Sequence, residues 1–139
     1  MKSFLKKICS PGDTNKYESV GLIFMRLFLG GVMLLQHGIP KIQKGPDALP
    51  NPFDVNPTFN GILIIFAEVI CAGLILIGLG TRVAASVLFI CMAVAFFIFH
   101  SDDPFKVKEM AFIYMMGYIA LIFTGAGSLS VDKYIGKKS

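Results

Sequence analysis

Charge is scarce in this sequence: only 16% of its 139 residues are Asp, Glu, Lys or Arg. Soluble domains carry about 25%, so the composition argues against a water-soluble fold. Tryptophan is absent, histidine occurs twice and cysteine three times. Cys9, Cys71 and Cys91 form no CxxC pair, which leaves no disulfide framework and no zinc or iron–sulfur motif. Cys71 and Cys91 sit in apolar runs, where a free thiol is a small hydrophobe. Cys9 follows Leu5-Lys6-Lys7-Ile8, without the apolar run of a secretory or lipoprotein signal. There is no Ser/His/Asp pattern, no glycine-rich phosphate loop and no HExxH. The net charge is +4. In an apolar chain that surplus reads as a membrane-orientation signal, and nucleic acid is not the expected partner.

Apolar residues are abundant, at 55% with a mean hydropathy of +0.69. They fall in four runs, at about 20–37, 61–80, 83–100 and 110–125. Each approaches the ~20 residues that carry a helix across a bilayer. The chain is therefore expected to be an all-α, four-helix transmembrane bundle in the cell (inner or plasma) membrane. Residues 1–19 form a basic N-terminal segment, 20–127 the membrane domain and 128–139 a basic tail. Gly80-Thr81-Arg82 makes a tight hairpin between spans two and three. The segment from Gly38 to Asn60 holds five of the seven prolines and is expected to interrupt the helix and fold over the bundle mouth. Cations split eight to four in favour of the side bearing both termini, which predicts that both are cytoplasmic.

Two ionisable residues lie inside spans, Arg26 in the first and Glu68 in the second. Such groups are costly in lipid and face a partner or a wet cavity. Counted from the ends of the apolar runs, their depths differ by only about 5 Å, which predicts an Arg26–Glu68 ion pair. Arg26, Gly30, Met33 and His37 share one stripe of span one, with Gly30 admitting a close neighbour. Glu68 shares a face with Gly61, Ala72 and Ile75. In span three Arg82, Ser86, Phe89, Ala93, Phe96 and His100 line up, and in span four Glu109 aligns with Met116, Ala120 and Thr124. Turned inward, these stripes place His37, His100 and Glu109 around a polar cup with Glu68 beneath. Arg82 is expected to act as a topology anchor and helix cap. A metal on two His and two Glu, or a haem clamped by His37 and His100, has no specific motif behind it and ranks behind other readings.

The chain resembles the DoxX family of small four-span membrane proteins, from about Gly21 to Asp132. The resemblance rests on Arg26-Leu27-Phe28-Leu29-Gly30, then His37-Gly38-Ile39-Pro40-Lys41, then Glu68 followed by Gly78-Leu79-Gly80-Thr81-Arg82. It closes on Gly125-Ala126-Gly127-Ser128-Leu129-Ser130-Val131-Asp132. It implies that Arg26, His37, Lys41, Glu68 and Arg82 are family-type positions, and it points to quinone-linked redox chemistry without assigning a reaction. A redox-associated membrane subunit that binds a quinone-like molecule is the leading expectation, with membrane or soluble redox proteins as partners and homo-oligomerisation left open. A non-catalytic scaffold subunit and a small-molecule or proton pathway are the alternatives.

Overall fold

The computed structural model describes residues 15–136. The basic start with Cys9, and Lys137, Lys138 and Ser139, lie outside the described residues. Four helices are long and apolar enough to cross a membrane: α1 (Lys16–Lys44), α2 (Pro57–Ile77), α3 (Thr81–Phe99) and α4 (Phe105–Thr124). A short helix, α5 (Val131–Gly136), follows. No strand occurs among the described residues. The helices run up and down, so the start of α1, the α2–α3 turn and the end of α4 share one end of the bundle. The α1–α2 loop and the α3–α4 link occupy the other. Large apolar side chains such as Phe24, Leu35, Ile62, Ile70, Ile90, Phe97 and Phe123 project outward. An apolar exterior this extensive belongs in a bilayer.

Local chemistry sets the boundaries. Asn15 starts α1 with a capping box: its side chain accepts from Glu18 N, while the Glu18 carboxylate accepts from Asn15 N. The helix then continues past Pro40 to Lys44, beyond the end of the first apolar run, and the rest of the proline-rich segment up to Pro57 leaves the helix. The reason it passes Pro40 is a wide π-helical segment from Leu27 to Gly38, whose register still holds at Ile39 N–H donating to Leu34 O. The widened turns accommodate a proline that a regular α-helix resists. Further π segments occur at Phe66–Cys71 in α2 and Ala95–Phe99 in α3. Gly78 and Gly80 both adopt left-handed backbone and close the α2–α3 hairpin.

Glycine brings α1 and α2 into backbone contact. A Cβ at Gly30 would sit 2.7 Å from Ala72 O, and one at Gly38 would sit 2.5 Å from Glu68 O. Gly30 thus admits a neighbouring helix. The predicted inward stripes of spans one and two are the buried ones, with Arg26, Gly30 and Met33 buried on α1 and Gly61, Glu68, Ala72 and Ile75 on α2. Span four is different. Glu109, Met116 and Thr124 are exposed, and the buried face carries Tyr114, Met115, Tyr118 and Leu121. Helix α4 begins at Phe105, and Tyr118 Oη donates to Leu29 O at 3.0 Å, so tertiary contacts turn the opposite face inward.

The end that holds both α1's start and α5 is closed by a clasp. Arg26, a residue 5% exposed, donates through its guanidinium to Ala126 O at 2.9 Å and Leu129 O at 3.0 Å. Asp132 accepts from Gly80 N at 2.8 Å and Thr81 N at 3.3 Å, capping α3 from a distant part of the chain. Its own N–H donates to Gly78 O. Ser19 and Ser128 hydroxyls meet at 2.5 Å. Arg82 donates to Phe123 O near the end of α4, where a cation suits the helix dipole.

The Arg26–Glu68 pair expected from the sequence does not form. Arg26 is level with the α2–α3 turn, whereas Glu68 lies ten residues before Gly78, or roughly 15 Å along the helix at ~1.5 Å per residue. The first helix is longer at both ends than its apolar run, and the segment after α4 folds back against it. Depths counted from the apolar runs therefore placed Arg26 too far toward the middle.

Candidate functional site

At the opposite end a cavity of about 610 Å³ opens among α1, α2, α3 and α4 beneath the α1–α2 loop. Asn56 caps α2 by accepting from Phe59 N, and Asn60 donates to Pro50 O at 2.6 Å. Asp47 and Thr58 add a further bond across the loop base. A Cβ at Gly61 would collide with Pro46 O, so glycine is needed where the loop presses on α2. This packing lays Pro50, Pro52 and Phe53 over the cavity as a roof.

The polar groups gather on the α1 and α2 side. Both helices are π-wound there, at Leu27–Gly38 and Phe66–Cys71, and π turns recur at functional sites. Lys41 Nζ donates to Glu68 Oε1 at 2.5 Å, so the lysine takes the role expected for Arg26. The lysine side chain is 25% exposed, whereas Glu68 is only 2% exposed. Glu68 Oε2 has no hydrogen-bond partner among the described residues. Nor has the hydroxyl of Tyr114, a residue 1% exposed. The His37 ring meets Tyr114 edge-on at 5.8 Å, and Tyr114 stacks on Phe28 and Tyr118. All four of Lys41, Glu68, His37 and Tyr114 line the cavity.

Two other predicted rim residues part company. His100 lines the cavity, but its Nδ1 is engaged with Asp103 Oδ2 at 2.6 Å in the turn after α3. Glu109 is exposed and lies outside the cavity, because α4 turns that face away. Arg26 also lies outside it, in the clasp at the other end. Among the described residues no three His, Cys, Asp or Glu side chains converge to hold a metal.

The sequence reading missed Tyr114 and Asn60. A tyrosine amid the apolar residues of span four was a signal, because a buried phenol needs a partner. The stripe drawn through Glu109 pointed away from it. The rest of the wall is apolar, including Ala67, Val87, Cys91, Val94 and Ala111. Phe66 and Ile90, near the middles of α2 and α3, border the cavity and are also exposed on the outer surface. The cavity therefore reaches the lipid-facing side of the bundle at mid-depth.

Four apolar helices around a polar-floored cavity define a multi-pass membrane protein. The chain belongs to the DoxX family, whose model matches residues 21–101. That match includes Arg26, His37, Lys41, Glu68, Arg82 and His100, and ends before the C-terminal clasp sequence. The chain is also similar to two proteins of Haemophilus influenzae, both designated uncharacterized. One is 30% identical over 131 residues, covering 86% of each chain. The other is 28% identical over 136 residues, covering 91% of this chain and 98% of its own. No solved structure matches.

Proposed function

We propose that the protein is a redox-associated membrane subunit that binds a quinone-like molecule in the cavity beneath the α1–α2 loop. The observation that carries this reading is the pairing of an apolar, lipid-reaching cavity with two buried oxygens, Glu68 Oε2 and Tyr114 Oη, that lack partners among the described residues. Buried polar groups are ordinarily hydrogen-bonded, and leaving one unmet costs about 1–3 kcal/mol. A bound head group would meet that need. His37, Lys41, Glu68 and Tyr114 would hold it, and the apolar walls would take a ring and tail. A quinone supplies reversible two-electron, two-proton chemistry when bound. Glu68 and His37 are the groups positioned to exchange its protons. Electron delivery then falls to a partner protein.

Titration of the purified protein with a short-tailed quinone tests this reading. His37→Ala is expected to weaken binding of the quinone, and Glu68→Ala binding of its hydroquinone in a parallel titration, each by about tenfold, the effect of one hydrogen bond of ~1.4 kcal/mol. Unchanged affinity in both variants would remove the site and favour a scaffold role.

The cationic bias supports an orientation with both termini in the cytoplasm and the roof loop outside. In a Cys9→Ser background, Asn51→Cys should react with an impermeant maleimide on intact cells, and Ser139→Cys should not. The reverse pattern would invert the topology.

A further inference from the structure

The geometry points to a site selective for hydrogen-bond donors: the cavity takes the hydroxylated, reduced form of a ring lipid, a quinol or an alkylphenol, in preference to the quinone. This inference rests on the ligand reading above and narrows its chemical class.

Glu68 sets the selection. Its Oε1 is occupied by the Lys41 ammonium, and a carboxylate held by that cation only accepts hydrogen bonds. Oε2 is enclosed and lacks a donor among the described residues. A ligand carbonyl brought to this oxygen sets acceptor against acceptor and leaves both unmet. A ligand hydroxyl donates to it and restores the missing bond. Tyr114 does not impose the same choice, because a phenol both donates and accepts. It can donate to a carbonyl or accept from a hydroxyl, so discrimination falls on Glu68. The edge-on contact of His37 with Tyr114, and Phe53 in the roof, suit a flat ring. The opening beside Phe66 and Ile90 suits an apolar tail that remains in the bilayer. Sites built around a buried polar group reject analogues that cannot satisfy it far more strongly than they reject analogues differing by a methylene.

The experiment compares three probes with one tail: decylhydroquinone, decylquinone and the dimethyl ether of decylhydroquinone. Each is titrated anaerobically into the full chain in lipid nanodiscs by calorimetry. The hydroquinone is expected to bind at least ~10-fold more tightly than either of the others, since a hydrogen bond to a charged group is at stake. In Glu68→Gln the amide both donates and accepts, so the hydroquinone and quinone affinities should converge to within about threefold. Quinone binding as tight as hydroquinone in the native protein overturns donor selection while leaving the ligand reading in place. A Glu68→Gln protein that keeps the full preference overturns the assignment to Glu68. Failure of all three probes to bind overturns both the inference and the reading beneath it. The native comparison decides even where the variant does not fold.

Discussion

Arg26→Leu is expected to lower stability by about 3–5 kcal/mol, the range for breaking a buried charged network. The guanidinium holds two carbonyls of the chain after α4, at Ala126 and Leu129, and it packs against Gly78 in the α2–α3 turn. Removing it leaves those carbonyls without their charged donor and loosens the segment that carries Asp132. The α3 cap should weaken as a consequence. Thermal unfolding in detergent reads the loss, and limited proteolysis should reveal early cleavage between Gly125 and Asp132. Arg26→Lys should recover little, because one ammonium does not span both carbonyls in the manner of the planar fork. A melting temperature within 1–2 °C of the native protein would show that the clasp is not held by Arg26; a loss of ~1 kcal/mol alone moves a domain of this size by several degrees.

The second large effect concerns the cavity floor. Lys41→Met strands the Glu68 carboxylate in an apolar wall, and the expected loss is about 3 kcal/mol. That figure is at the low end for buried pairs because the lysine is a quarter exposed. Glu68→Leu should cost a similar amount, and the double variant Lys41→Met/Glu68→Leu should recover most of it, since an ion pair replaced by apolar side chains is often neutral. Arg26→Leu combined with Glu68→Leu should behave differently. The two residues are roughly 15 Å apart along the bundle, so their losses should add to within about 0.5 kcal/mol. Melting temperatures of the single and double variants separate the two pairings. Recovery in the Arg26/Glu68 double variant would sink the structural assignment.

The sequence by itself determined that the protein is a four-span helical bundle in a membrane. The reason is elementary: four apolar runs near bilayer length and few charges leave no other way to satisfy the backbone. It also marked Gly30, His37 and Glu68 as inward-facing, because the 3.6-residue period puts them on stripes with small residues. Hydropathy does not report how far a helix extends beyond its apolar run. That limit hid the length of α1 and its passage through Pro40, which depends on π turns. It also hid the return of Gly125–Asp132 onto the bundle end. The partners of the buried charges followed from those two features. Arg26 meets backbone carbonyls 100 and 103 residues away, and Glu68 meets Lys41 across the α1–α2 contact. The face of α4 was likewise decided only in three dimensions. Its amphipathic pattern is weak, and Tyr118 reaching Leu29 O selects the rotation that buries Tyr114 and exposes Glu109. Long-range hydrogen bonds chose among charge pairings and helix rotations that local periodicity leaves equal, because a buried polar group must be satisfied wherever the chain can supply a partner.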